Sequence, residues 1–174
     1  MQDSSFRLSA GFFQRDVLTV SPELLGKKLI RRYPNGFIQH YTITELEAYC
    51  GVTDLACHAS KGRTKRTEIL YHNGGVVYMY LIYGMYWMLN IVTSIEGDPQ
   101  AILIRGVEDT EGPGRIGKLL QLDKSFYGED LSTSQRLWVE NVPAIAPADI
   151  ITTPRIGIDY AGEWAHKPWR FVLL

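Results

Sequence analysis

VVYMYLIYGMYWMLN, residues 76–90, is the stretch on which the fold turns. Two runs of β-branched and aromatic residues flank Gly84, and such a pair around a turn-former reads as a β-hairpin. The tip departs from the usual polar composition, because Tyr83, Met85 and Tyr86 place large apolar groups where a hairpin normally meets water. An apolar tip is unfavourable unless another part of the chain or a partner covers it. Taken alone, the run reads as a buried central hairpin in an aromatic-rich core. The rest of the chain points instead to a tip with a partner.

Upstream, Leu29 to Arg32 reads as a strand closed by the turn signal Tyr33-Pro-Asn-Gly36, and residues 37–49 as one long extended segment. Ser21-Pro-Glu-Leu-Leu25 has the form of a helix start, with Ser at the N-cap and Pro at the first helical position. Asp54 is placed to cap a short helix through Ala59, and Thr67 a second that stops at Asn73-Gly-Gly75. Downstream, Ala101 to Val107 reads as a strand, and helices are expected near Ile116–Leu122 and Ser134–Asn141. Strands near Arg155–Ile158 and Trp169–Leu173 close the chain. Strands grouped in hairpins, with helices pooled between them, predict an α+β fold. The expectation is a single compact domain over residues 1–174, with a curved, mainly antiparallel sheet, flanking helices and a protruding hairpin.

An apolar fraction of 45% with 21% charged residues fits a globular chain able to bury a core. The apolar run is too short to span a bilayer, and MQDSSFRLSAGFFQRD lacks the basic start and apolar stretch of a signal peptide. A cytoplasmic protein with no membrane partner is therefore expected. Cys50 and Cys57, with His58 and Asp54 nearby, show no CxxC and no second cluster, so neither a metal site nor a framework disulfide is expected. A net charge of −1 is unusual for a nucleic-acid binder, yet Lys61-Gly-Arg-Thr-Lys-Arg66 packs four cations into six residues. Local field matters more than the sum when one face meets phosphates.

Alternation along Thr42–Tyr49 puts Ile43, Glu45, Glu47 and Tyr49 on one face, opposite Thr44, Leu46 and Ala48. Arg105 interrupts an apolar strand, and a cation in such a place needs a carboxylate partner. Paired with Arg105 across a sheet, Glu47 would be suited to activating a water as nucleophile. Asn90 ends the second hairpin strand among apolar residues, where its amide must cap a turn or read a flat polar edge. Tyr78 and Tyr80 share one face of the first strand, and rings across a cleft could sandwich a base. The apolar tip fits the gap opened when stacked bases are wedged apart. Gly112-Pro-Gly-Arg-Ile-Gly117 imitates a nucleotide-binding loop. Leu119 stands where a P-loop needs Ser or Thr, and no βαβ unit surrounds the glycines. Two competing readings use the same residues: a metal-dependent nuclease built on Glu45, Glu47, Asp54 and His58, and a single-strand-binding module stacking bases on Tyr78, Tyr80 and Tyr83.

Five ordered blocks, from Asp16 to the C-terminus, together resemble the alkyladenine (3-methyladenine) DNA glycosylase family. They are Glu45-Leu-Glu-Ala-Tyr49 with His58, Tyr78 through Asn90, Ile102-Leu-Ile-Arg105, Gly112-Pro-Gly114, and Pro154-Arg-Ile-Gly157 with Trp169-Arg-Phe171. The resemblance implies a cofactor-free, monofunctional glycosylase that acts as a monomer on double-stranded DNA. Such an enzyme flips an alkylated or deaminated purine, of the 3-methyladenine or hypoxanthine type, and hydrolyses its N-glycosidic bond. It makes Glu47 the general base, with Arg105 and the backbone carbonyl of Ile156 holding the attacking water. Tyr49 and Tyr80 would sandwich the base, His58 would contact its edge, and Asn90 would exclude purines bearing a 2-amino group. Tyr83 would enter the stack beside Met85 and Tyr86, and Arg63, Thr64 and Arg66 would touch phosphates. Two departures stand out: Lys65 and Leu46 replace the Pro and Thr of the family's best-known members.

Overall fold

A computed structural model describes residues 6–174 of the chain. Residues 1–5, the start of the stretch read as lacking a signal peptide, lie outside it. Two short helices come first, α1 (Ala10–Phe13) and α2 (Val17–Leu24). Nine strands follow, interrupted by one further helix: β1 (Lys28–Arg32), β2 (Ile38–Tyr49), β3 (Val77–Ile82), β4 (Tyr86–Thr93), β5 (Gln100–Val107), β6 (Thr110–Glu111), the helix α3 (Pro113–Leu119), then β7 (Leu137–Glu140), β8 (Ile150–Thr153) and β9 (Arg170–Leu173). The sheet runs β3-β4-β5-β2-β1-β7, with β6 on β5, and β8 on β9 beside β2. Every pairing among these strands is antiparallel. The α+β expectation holds.

The hairpin of β3 and β4 lies at one edge of the sheet, so its tip is free of neighbours on one side. Tyr83 and Gly84, at φ 54° and 66°, form the turn, closed by the Met85 N–H donating to the Ile82 carbonyl at 3.1 Å. Those dihedrals give the mirror-image turn that suits strand twist. The sheet's inner face buries Leu46, Ala48, Leu89, Ile91, Ile102 and Ile104 together with Val17, Val20 and Leu24 of α2. Against the strands, α3 packs so closely that a Cβ on Gly117 would lie 2.1 Å from the Trp87 carbonyl oxygen. The glycine pattern at 112–117 thus serves helix–strand packing.

Several local expectations fail for physical reasons. Asp16, and not Ser21, caps α2, accepting from the Leu18 N–H at 2.9 Å. Ser21 lies inside the helix, with its hydroxyl on the Val17 carbonyl, and Pro22 occupies the last turn. Residues 134–141 form no helix, because β1 offers an open edge that the apolar run Leu-Trp-Val of β7 fills. Helix α3 starts at Pro113, earlier than expected, with the proline at its first position. The expected strand at Arg155–Ile158 is replaced by β8 upstream, since Gly157 takes φ 76° and Arg155 is drawn inward. Asp54 caps only a tight turn, through the Ala56 N–H at 3.1 Å, and the 3₁₀ turn after it spans His58–Lys61. The Thr67 hydroxyl turns back to the Gly62 carbonyl and does not cap the turn at Glu68–Tyr71.

Candidate active site

A cavity of about 320 Å³ opens beside the hairpin, within the range of small-molecule sites. Strand β2 brings Glu47 and Tyr49 to it, β3 brings Tyr78 and Tyr80, β4 brings Asn90, and β5 brings Arg105. His58 comes from the loop after β2, and Ile156 and Tyr160 from the segment after β8. The cavity therefore gathers all the residues expected to bind the base and to cleave.

Glu47 is fully buried, and its carboxylate is fixed from three sides. Oε2 accepts from the Tyr49 hydroxyl at 2.7 Å, Oε1 accepts from the Ile156 N–H at 2.8 Å, and Arg105 Nε lies 3.5 Å from Oε1. A carboxylate offers about four acceptor positions, and these donors leave one of them unfilled. The expected direct Glu47–Arg105 pair is looser than anticipated. Register sets Glu47 across from Leu103, and Arg105 Nε donates instead to Glu45 Oε1 at 3.0 Å. Ile156 meets Glu47 through its N–H, a contact that the sequence reading, which assigned its carbonyl, did not include.

Ile43 does not share the face of Glu47. The ladder between β2 and β5 slips twice, between Ile43 and Glu45 and between Glu45 and Leu46, passing over Thr44 on one strand and Arg105 on the other. Such a slip turns Ile43 into the core with Leu46 and Ala48, while Glu45, Glu47 and Tyr49 stay on the cavity side.

The aromatic walls are held by polar contacts at their rims. His58 Nδ1 pairs with the Tyr78 hydroxyl at 2.8 Å, and the His58 ring meets Tyr80 edge-on, 4.6 Å between centroids. Burial, with Arg66 and Lys61 adding repulsion, pushes the His58 imidazole down to about 4. Burial raises the Tyr78 phenol to about 12, and burial beside the Glu47 carboxylate raises that of Tyr49 strongly. These groups are uncharged at neutral pH. Asn90 sits in mid-strand, and not at its end, paired with Tyr78 and Leu103. Its Nδ2 donates to the Tyr78 and Met88 carbonyls, both at 3.3 Å, which locks the amide.

Outside the cavity, Tyr83 is 87% exposed and Met85 57% exposed, so the tip is uncovered. Tyr86 is partly sheltered, with its ring against Gly114 and Lys118 Nζ 4.7 Å from its centroid. Arg66 lies over the Tyr80 ring at 5.5 Å. Arg63 turns its guanidinium to Glu68, at 2.6 and 2.8 Å, and Thr64 bonds to Thr67. Asp54 does not line the cavity. Both of its oxygens accept from Arg155, at 2.6 and 2.9 Å, in a fully buried pair that sequence reasoning missed. Arg155 also stacks between Tyr49 and Trp169, 4.8 and 5.0 Å from the ring centroids. An acidic residue and an arginine 101 positions apart carry no local pattern that would pair them. Among the described residues, no three His, Cys, Asp or Glu side chains gather as a metal site would require. No helix there is long and apolar enough to cross a membrane.

The family model of methylpurine-DNA glycosylase (MPG) matches residues 11–112 and 108–174. A protein of Methanocella arvoryzae is 41% identical over 184 residues, covering 94% of this chain and 90% of its own. One from Legionella pneumophila strain Corby is 41% identical over 175 residues, covering 96% and 94%. One from a Wolbachia pipientis of Culex pipiens is 43% identical over 171 residues, covering 94% and 88%. Each carries the name "Putative 3-methyladenine DNA glycosylase". With near full-length matches and an aromatic cavity around a buried, hydrogen-bonded glutamate, the chain belongs to the methylpurine-DNA glycosylase family, a family of base-excision-repair hydrolases of the N-glycosidic bond.

Proposed function

We propose that the chain flips an alkylated or deaminated purine from duplex DNA and hydrolyses its N-glycosidic bond with a water activated by Glu47. The observation that carries this reading is the buried Glu47 carboxylate, held by Tyr49 and the Ile156 N–H at the wall of a cavity sized for one base. Fixed donors leave that carboxylate little freedom except to accept a proton from water. Arg105 beside it steadies the water and the charge that develops.

The walls favour a cationic alkylated purine. Tyr49 and Tyr80 line the cavity, and each cation–π contact with the base would contribute about 0.5–2 kcal/mol. Such a base leaves without prior protonation. Asn90, with its amide tied to two carbonyls, forms a rigid edge that a 2-amino group would meet. Flipping costs a few kcal/mol, least at a damaged pair, and Tyr83 with Met85 at the exposed tip offsets it by filling the vacated stack. Arg66, exposed between the cavity and its basic loop, is suited to a phosphate, as is Thr64. Arg63 reaches one by exchanging Glu68 for it. The enzyme works as a cytoplasmic monomer that joins the nucleoid when bound to DNA.

The test is release of free base from a labelled duplex carrying one 3-methyladenine or hypoxanthine, with chelator present. Free base and an abasic site cleaved only by alkali are expected. Strand breaks without alkali, or lesion binding with no base release, would overturn the reading.

A further inference from the structure

Glu45 does not line the cavity, yet it carries the contacts that decide where Arg105 points. Its Oε1 accepts from Arg105 Nε at 3.0 Å and from Arg170 Nε at 2.6 Å. Arg170 is in turn anchored by Nη1 on the Thr153 hydroxyl at 3.0 Å. One carboxylate oxygen of β2 thus ties together guanidinium groups from β5 and β9. The irregular pairing of β2 with β5 seats Glu45 opposite Gly106, a place that requires a neighbour without a side chain. A Cβ on Gly106 would lie 2.8 Å from the Glu45 Cβ.

The alternative position for Arg105 is close by. Glu47 Oε1 lies only 3.5 Å from the same Nε, and an arginine beside a free carboxylate prefers a two-bond, fork-to-fork pair. Such a pair would occupy the acceptor positions on Glu47 that a water needs. We propose that Glu45 is a positioning residue that holds Arg105 off Glu47, keeping the arginine near the base's departure path and the Glu47 carboxylate open to water. Arg170 steadies Glu45 from the other side. This inference rests on the reading of Glu47 as the general base.

The experiment is single-turnover base release from a 3-methyladenine duplex by the full chain, comparing Glu45→Gln, Arg105→Met and the double variant. Lesion-DNA affinity and thermal melting are measured for each. Glu45→Gln keeps the shape and one acceptor, so the fold and the affinity are retained. It should slow release about tenfold, a usual coupling between charged neighbours. In the Arg105→Met background the same exchange should cost nothing further, because there is no guanidinium left to swing. A merely structural role predicts equal losses in both backgrounds and would overturn the proposal, as would an unchanged rate for Glu45→Gln alone. If Arg105→Met keeps the full rate while the background dependence persists, the hold on Arg105 stands and its role toward water falls. Full turnover by Glu47→Gln would instead remove the reading on which the inference rests.

Discussion

Glu47→Gln separates chemistry from fold, and its consequences can be worked out atom by atom. The Ile156 N–H is fixed by the backbone, so the glutamine oxygen must take the place of Oε1, 2.8 Å from it. The new NH₂ then faces the Tyr49 oxygen at 2.7 Å, and a phenol hydroxyl can rotate to accept where it had donated. Arg105 keeps its 3.0 Å bond to Glu45. The Tyr49 O–H, which donated to Glu47, then loses that acceptor, so stability should fall by about 1–3 kcal/mol. The amide, however, cannot take a proton from water. Losing a general base slows a reaction by about 10²–10⁴-fold, which is about 3–5 kcal/mol on the barrier. The expected result is a folded protein that binds a lesion duplex as the parent does and releases base at least about a hundredfold more slowly. Single-turnover release, gel-shift titration and thermal melting on one preparation measure the three quantities. Near-normal release would refute the role of Glu47. A loss of rate matched by a loss of folded protein would refute the hydrogen-bond accounting.

Other consequences follow from single contacts. Tyr83 adopts φ 54°, a region that glycine occupies without strain, so Tyr83→Gly should keep or slightly raise the melting temperature while weakening flipping; an unchanged signal from a fluorescent base analogue would argue against the wedge. Arg155→Met leaves Asp54 charged and buried, at about 3–5 kcal/mol. At about 2–4 °C per kcal/mol for a chain of this size, the melting temperature should fall by about 6–20 °C, and a fall under about 2 °C would deny the pair its structural role. His58 titrates at about 4 in the fold against an ordinary 6.5, so below 6.5 the unfolded chain gains a proton that the folded one does not. Its contribution to stability is complete above pH 6.5 and is lost as pH falls towards 4; melting temperatures across that window should fall less steeply for His58→Gln, and parallel curves would count against it.

The parts of the fold legible in the sequence are those fixed by neighbours in the chain. The hairpin around Gly84, the turn at 33–36 and the strands beneath Arg105 and Phe171 follow from composition and period two. What was misread depends on distant partners. Leu137–Glu140 carries a pattern short enough to fit a helix or a strand, and only the open edge of β1 decides it. Ser21-Pro22 looks like a helix start because both residues suit that position, but Asp16 reaches the first free N–H earlier along the chain. The face of Ile43 was misassigned because strict alternation has no room for a bulge. The bulge is visible in the sequence only as Gly106, on a different strand.

For the site, residue types were legible and their bonding was not. Glu47, Tyr49, Tyr80, His58, Asn90 and Arg105 do meet at one cavity, as the ordered blocks implied. Which donor serves which acceptor depends on residues more than fifty positions apart: Ile156 on Glu47, Arg170 and Arg105 on Glu45, Arg155 on Asp54. The three acidic residues buried among the described residues, Glu45, Glu47 and Asp54, stand within ten positions, which is why a metal-dependent reading could be assembled on paper. In three dimensions each has a separate set of donors: two arginines on Glu45, a phenol and a backbone N–H on Glu47, one arginine and two backbone N–H groups on Asp54. A divalent cation needs carboxylates converging on one point with lone pairs to spare. Here Glu45 Oε1 is committed to two guanidinium groups and both Asp54 oxygens to one, and of the three carboxylates Glu47 is the one that lines the cavity. That division is what the proposed hydrolysis, with one water and one base, would use.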